Sequence, residues 1–205
     1  MRLKWRSLFF QTPLMNLPDW SLLESLHKHF ASVAANMVNN GQEVSPQLFL
    51  IGLQQGKPPF AMAAVPAEMT NQFFRDDKGK DALAQFLRQS LMPASDFREA
   101  LTKELGFGPD VVVQISEAWM ASLSEGEDFS SVRKGQQRVS ERADRKEVLL
   151  VTLHMEHFSI PVMHPIESGP PRHCELTEFP DKHALGQFGG RLAMQEVNDS
   201  KGPVH

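Results

Sequence analysis

The chain has 205 residues, of which 41% are hydrophobic and 22% charged, and its formal net charge is −4 at pH 7. This length and composition predict a single globular domain that needs no metal or disulfide for stability, and they exclude a wholly disordered or fibrous protein. The slightly acidic balance provides no overall attraction to nucleic acid or to an anionic membrane, so any basic surface must be local.

The cysteine usage and the ends of the chain bear on where the protein works. Cys174 is its only cysteine, which favours a reducing, cytoplasmic compartment. No apolar run reaches the roughly 18 residues of a membrane span, and the apolar runs near the start are too short for a secretory signal. We therefore expect no membrane association, a flexible lead over residues 1–17 in which Met15 is an alternative start, one domain over residues 18–197, and a flexible tail over residues 198–205.

The first structured segment has apolar residues at helical spacing. They are Leu22, Leu23, Leu26, Phe30, Val33 and Met37. Asp19 or Ser21 is suited to cap the start of this helix, and "NNG" at 39–41 to end it.

Two short apolar runs follow, "QLFLIGLQ" and "PFAMAAVPA". Since a connection rich in Gly and Pro separates them, they predict an antiparallel hairpin.

Residues 67–105 return to a helical pattern of apolar residues, interrupted by "DDKGK" and by Pro93. This pattern predicts two or three helices. The candidate caps are Asp76 or Asp81 for the longest helix and Ser95 or Asp96 for the last. The segment "GFGPD" then ends the helical region and precedes a strand, "VVVQISEAWM".

The second half of the chain begins with residues 121–146, which are polar throughout and predict a long loop. The run "EVLLVTLHMEHFSIPV" then predicts one strand that opens buried on both faces. "RHCELTEF" indicates an edge strand, and residues 183–197 a weak helix that contains three glycines. Taken in order, the elements predict an α+β or α/β fold. We expect a two-layer sandwich in which two or three helices pack on one face of a sheet of about five mixed strands.

The strand "VVVQISEAWM" carries a carboxylate where a buried strand is normally apolar. Alternation along the strand places Glu117 on the same face as Ile115 and Trp119. A partly desolvated carboxyl group is suited to general acid or base catalysis, unless a cation holds it charged. The alternative is a structural ion pair with an arginine such as Arg142 or Arg145.

A histidine-rich stretch occurs near the end of the following strand. His154, Glu156 and His157 are of the residue types that bind metal ions. On a strand His154 and Glu156 face one way and His157 the other, and the helical spacing that places two histidines one turn apart is absent. We therefore expect neither a metal site nor a cofactor. An alternative function is a metal-dependent hydrolase or nuclease that uses Glu117, Glu147 and His154.

The end of the polar loop is rich in basic residues. They include Arg133, Lys134, Arg138, Arg142, Arg145 and Lys146. Because arginine forks match phosphate oxygens, a second alternative is a nucleic-acid accessory protein that binds through residues 133–146. Phe129 is the only aromatic residue in the loop, so base stacking is not indicated.

The motif "SEAWM" and the later segment "RVSERADRKEVLLV" resemble a set of small uncharacterised bacterial and bacteriophage proteins. In those proteins an apolar strand ends in S-E-A-W-M, and a variable insert precedes a segment P-S-E-x-P-D-R-x-E-x-x-x-V. The matching residues here are Ser116, Glu117, Ala118, Trp119, Met120, Ser140, Glu141, Asp144, Arg145, Glu147 and Val151. Val139 and Ala143 stand where that pattern has prolines. The resemblance spans residues 70–155 and implies a bacterial or bacteriophage origin but no particular activity.

These observations favour a small cytoplasmic binding or accessory protein over an enzyme. The expected contact surface is the strand end, with Trp119, Glu117, Arg142 and Arg145 as binding residues, since Trp and Arg are the residue types that anchor interfaces. A fork between the Arg145 guanidinium and the Glu117 carboxylate is the specific contact that this interpretation predicts. We expect another protein as the partner, and the sequence leaves the oligomeric state open.

Overall fold

A computed structural model describes residues 19–54, 59–120 and 143–182. These ranges contain four helices and six strands, and none of these helices is long and apolar enough to cross a membrane. In chain order they are α1 (Trp20–Asn39), β1 (Gln47–Leu53), β2 (Phe60–Ala64), α2 (Ala67–Arg75), α3 (Asp77–Leu91), α4 (Asp96–Leu105), β3 (Val111–Met120), β4 (Lys146–His154), β5 (Ser159–Glu167) and β6 (His173–Cys174).

Several of the sequence predictions fall outside the described residues. They are the lead at residues 1–17, the tail at 198–205, the weak helix at 183–197 and most of the long loop, residues 121–142. The described chain resumes at Ala143, and β4 already begins at Lys146.

The helices begin and end at residues suited to those positions. Asp19 accepts a hydrogen bond from the Ser21 backbone N–H at 3.0 Å and starts α1. Asp76 accepts one from the Gly79 backbone N–H at 2.8 Å and starts α3. Gly106 ends α4 at φ 77°, a left-handed conformation that favours glycine. The three helices α2, α3 and α4 confirm the helical pattern predicted after the hairpin.

The six strands form one sheet in the order β2-β1-β3-β4-β5-β6, and every described pair is antiparallel. The α+β class predicted from the sequence is confirmed, whereas the prediction of about five mixed strands is corrected. Strands β2 and β3 run parallel to each other but lie on either side of β1. The connection from β2 to β3 through three helices therefore does not place these two strands side by side in a parallel ladder.

Two hairpins supply four of the strands. The first joins β1 to β2, with Phe49 opposite Ala64, as the sequence predicted. The second joins β4 to β5 and is closed by a hydrogen bond from the Met155 N–H to the Phe158 carbonyl oxygen at 2.9 Å. The prediction of one continuous strand there is wrong. The turn at "MEHF" was not predicted because it lacks the Gly, Pro or Asn that marks most turns. Strand β6 has two residues and is shorter than the predicted edge strand.

Helices cover both faces of the sheet, which corrects the prediction of a two-layer sandwich with helices on one face. Helix α1 packs on the face that carries Val111, Val113 and Ile115 of β3. Helices α2 and α3 pack on the opposite face, where Val112 belongs to a second apolar cluster. The run "VVV" at the start of β3 is apolar throughout because successive side chains enter different cores.

Candidate functional site at the end of strand β3

Glu117 lies on the α1 face of the sheet, with a side chain that is 18% exposed. Its Oε1 accepts a hydrogen bond from the Val44 backbone N–H, and its Oε2 accepts one from Arg172 Nη2, both at 2.8 Å. Val44 is buried and precedes β1, so the carboxylate fastens the chain that enters β1 to the end of β3. The carboxylate on this otherwise apolar face of β3 is therefore a structural acceptor with both oxygens engaged.

Arg172 joins Glu117 to a second carboxylate, that of Glu147. The same Nη2 atom donates to Glu147 Oε1 at 2.7 Å, and the Ser168 hydroxyl donates to Glu147 Oε2 at 3.4 Å. The hydrogen bond to Glu117 is the main cause that raises the pKa of Arg172 above its ordinary value. A guanidinium that stays charged stabilises the ionised form of both carboxylates. We refer to the three residues as the Glu117–Arg172–Glu147 cluster.

The arginine that pairs with Glu117 is Arg172, rather than the predicted Arg145 or Arg142. In the ladder between β3 and β4, Glu117 lies opposite Leu149. Arg145 precedes Leu149 by four residues, which corresponds to about 13 Å at the spacing of a strand. Arg142 lies outside the described residues. Arg172 is close because the segment after β5 returns beside the start of β4.

Trp119 follows two residues after Glu117 and is 44% exposed. The guanidinium carbon of Arg145 lies 4.8 Å from the centroid of a Trp119 ring, a cation–π contact. Two of the predicted binding residues therefore contact each other at the strand end, beside the Glu117–Arg172–Glu147 cluster.

His154 lies on the opposite face of the sheet from Glu117 and Glu147, because its position in β4 has the other parity. Its Nδ1 lies 2.8 Å from Ser159 Oγ and its Nε2 lies 3.1 Å from Gln114 Oε1. Burial lowers the pKa of His154 to about 4, so the ring is neutral at pH 7 and both nitrogens are hydrogen-bonded. The three residues predicted for a hydrolase or nuclease do not form one site.

Glu156 and His157, the other residues considered as metal ligands, form a pair without a third ligand among the described residues. His157 Nε2 lies 3.5 Å from Glu156 Oε2, with both side chains partly exposed. Over residues 19–54, 59–120 and 143–182, no three His, Cys, Asp or Glu side chains are grouped so that they could hold a metal ion. Burial, followed by the charge of Glu117, raises the pKa of the Cys174 thiol to about 11. A thiol that stays protonated is a poor nucleophile.

The basic residues of the nucleic-acid interpretation lie largely beyond the described part of the chain. Arg133, Lys134, Arg138 and Arg142 belong to residues 121–142, outside the described ranges. Binding of nucleic acid through residues 133–146 therefore stays a prediction.

The end of β3 extends past its neighbour β1. The ladder between the two strands ends where Gln47 lies opposite Ile115. The preceding residue, Pro46, has no N–H to donate to a ladder. Residues 116–120 therefore pair with β4 on one side and, within the described chain, with no strand on the other. The Val44 N–H meets the Glu117 side chain on that other side, so within the described chain the open part of the edge is residues 118–120. An unpaired strand edge of this kind is a template for an added strand.

The sequence patterns missed three polar residues that the structure brings into buried or partly buried positions. Arg172 follows a Pro-rich turn, far from Glu117 in the chain, and no periodicity points to it. His27 and His164 could have been found, because each occupies an apolar position. His27 follows Leu23 by one helical turn, and His164 alternates with Val162 on its strand.

Comparison with known proteins gives no family for this chain: no family model, no curated protein and no solved structure matches it. The similarity of "SEAWM" and its downstream segment to small bacterial and bacteriophage proteins accordingly stays a prediction.

Proposed function

We propose that this protein is a binding protein that adds an extended segment of a partner polypeptide to the open end of β3. The observation that carries this proposal is that residues 118–120, beyond the point where the Val44 N–H meets Glu117, have no strand partner on the β1 side within the described chain and include an exposed tryptophan. In strand addition, backbone hydrogen bonds supply affinity, and contacts with alternate side chains supply specificity.

Trp119 and Arg145 are suited to select the partner. A large rigid ring that is 44% exposed in the free protein has apolar area left to bury on binding, and Trp and Arg are the types that dominate interface energetics. Arginine has five N–H donors, so Arg145 can add a carboxylate to its present contacts. We infer a partner segment that places an apolar side chain against Trp119 and an acidic side chain near Arg145.

The Glu117–Arg172–Glu147 cluster supports binding at this edge by holding the strand end in place. Glu117 fastens β3 to the chain before β1, and Arg172 fastens it to the start of β4. A binding edge that is already ordered loses less conformational entropy when a partner adds to it.

Short random peptides displayed on phage and selected on the whole protein test the proposal. For a selected peptide, we expect Trp119→Ala to weaken binding about thirtyfold, the loss of a typical hot spot of 2 kcal/mol. The matched control is Met163→Ala, because Met163 is 41% exposed on β5, away from this edge. The control should bind the peptide as the unaltered protein does, measured by calorimetry.

Methylation of single backbone nitrogens in the selected peptide provides the second measurement. In an added strand only alternate N–H groups face the neighbouring strand. We therefore expect affinity to fall at every second methylated position and to change little at the positions between. Equal affinity for the Trp119→Ala variant, or a methylation profile without the period of two, would refute strand addition at β3.

A further inference from the structure

A cavity of about 450 Å³ lies between α1, β5 and the segment that follows β6. Two histidines line it, His27 of α1 and His164 of β5, which are 3% and 0% exposed. Their ring centroids are 5.2 Å apart, and the ring of Phe179 is centred 5.0 Å from that of His27. A cavity of this volume is within the range of small-molecule sites.

The Nε2 atoms of both histidines are fully buried and have no hydrogen-bond partner among the described residues. A buried polar atom left without a partner costs roughly 1 to 3 kcal/mol, so folded proteins contain few of them. Both His27 and His164 line the cavity, so a molecule that enters it and displaces the side chains covering these atoms can supply the missing partners.

The hydrogen bond on the other side of His164 determines where its proton lies. The Thr177 backbone N–H donates to His164 Nδ1 at 3.0 Å. Because a backbone N–H only donates, the neutral ring of His164 carries its own proton on Nε2. That atom is therefore a donor that requires an acceptor. A metal ion requires a lone pair on the nitrogen that ligates it, so this tautomer disfavours a metal at His164.

The inner part of the cavity is uncharged at pH 7. Burial lowers the pKa of both His27 and His164 to about 4, and the neighbouring His164 adds to the effect at His27. The same desolvation disfavours a charge on a ligand atom that reaches the rings. The charged groups of the cavity, Glu24, Lys28 and Glu178, are exposed and together carry one net negative charge, so they do not attract an anion.

We propose that this cavity binds a small uncharged amide or lactam whose carbonyl oxygen accepts the hydrogen bond of His164 Nε2. Either neutral form of His27 fits such a ligand: its Nε2 accepts from the amide N–H or donates to the same oxygen. The apolar part of the ligand packs against Phe179 and Leu176. This cavity is separate from the β3 edge. Glu117 of β3 and His164 of β5 both lie opposite Leu149 of β4, one on each side, so two strand spacings of about 10 Å in total separate them.

Four probes with one shared ring test the chemical class of the ligand. They are benzamide, benzoate, benzamidinium and toluene, which present respectively an uncharged amide, an anion, a cation and no polar group. Each is titrated into the whole protein with ¹⁵N-labelled histidine. We expect benzamide to bind at least about tenfold more tightly than the other three, a difference of 1.4 kcal/mol. It should also shift the His164 Nε2 resonance more than that of His154.

The variant His164→Phe keeps a ring at the site but removes the donor, and should lose benzamide binding at least about tenfold. The matched control is His29→Phe, an exposed position of α1 away from the cavity, which should bind benzamide unchanged. Tighter binding of benzoate or benzamidinium, an absence of binding by all four probes, or equal binding by His164→Phe overturns the proposal. If His164→Phe does not fold, the shift of the His164 resonance in the unaltered protein decides.

Discussion

Arg172 contacts both carboxylates of the Glu117–Arg172–Glu147 cluster through a single nitrogen. The two acids are only 18% and 17% exposed, so water compensates them incompletely. Removal of one partner from such a pair is more harmful than removal of the whole pair, because it leaves a charge that is neither solvated nor neutralised. The cluster therefore depends on Arg172 more than on either glutamate.

We predict that Arg172→Met lowers the free energy of unfolding by about 2 to 3 kcal/mol, measured by urea denaturation. The control is Arg75→Met: the Arg75 side chain is 74% exposed in its ion pair with Asp76, and exposed pairs contribute less than about 1 kcal/mol. Addition of Glu117→Gln and Glu147→Gln to Arg172→Met should recover part of the loss. Equal stability of the two arginine variants would contradict this account.

The sequence was sufficient to place Glu117 on a buried face beside Trp119, since alternation along a strand fixes both. It was insufficient to identify the partner of Glu117. The arginines just before the following strand were the natural candidates, yet Arg145 lies over the Trp119 ring instead. Contacts such as that with Arg172 depend on how a later turn packs, which no local pattern encodes.

At the scale of elements, Gly79 of α3 lies directly against the backbone of α2. A Cβ atom built at Gly79 would lie 2.8 Å from the carbonyl oxygen of Phe73 and would also collide with the carbonyl oxygen of Gln72. Both oxygens belong to the backbone of α2 and cannot rotate away. The glycine in "DDKGK" therefore permits a tight junction between two helices, in addition to capping by Asp76.

We predict that Gly79→Ala lowers the free energy of unfolding by about 1 to 3 kcal/mol, the usual effect of overpacking. This occurs although alanine favours a helix over glycine by about 1 kcal/mol, because the collision with backbone atoms outweighs that preference. The control is Gly169→Ala, where a Cβ would meet nothing within 4 Å. Its midpoint in urea should match that of the unaltered protein, and a Gly79→Ala variant as stable as this control would refute the steric argument.

The elements with clear chemical signals were predicted from the sequence. Helix α1, the first hairpin and the helices after it had periodic apolar residues and recognisable caps. The second hairpin had neither glycine nor proline in its turn and was read as one strand. The placement of helices on both faces of the sheet depends on which core each side chain of "VVV" enters, and a run of valines does not reveal that.

For the whole molecule, buried histidines make stability depend on pH. His27, His154 and His164 are nearly inaccessible, and burial lowers the pKa of each to about 4 from an ordinary value of 6.5. In the unfolded chain they bind protons as the pH falls through 6.5, whereas in the folded protein they remain neutral down to about pH 4. The unfolded state therefore binds more protons in this window, and folding becomes less favourable as the pH falls.

We predict that the free energy of unfolding is nearly constant above pH 7.5 and declines between pH 6.5 and 4, by roughly 3 kcal/mol for each histidine. Urea denaturation at a series of pH values measures the slope. The variant His154→Gln cannot gain a proton and should decrease the slope by about a third. Stability that is flat or increases on acidification from pH 6.5 would show that these rings do not titrate as stated.

The register of β3 and β4 determines where the length of this chain can change in evolution without a change of fold. Met120 and Lys146 are cross-strand partners, so the intervening stretch starts and finishes at neighbouring points of the sheet. Doubling the length of such a stretch adds only about 0.6 kcal/mol of closure entropy. Insertions and deletions between these two residues are therefore compatible with an unchanged fold. We expect homologues of this protein to differ in length mainly in this segment.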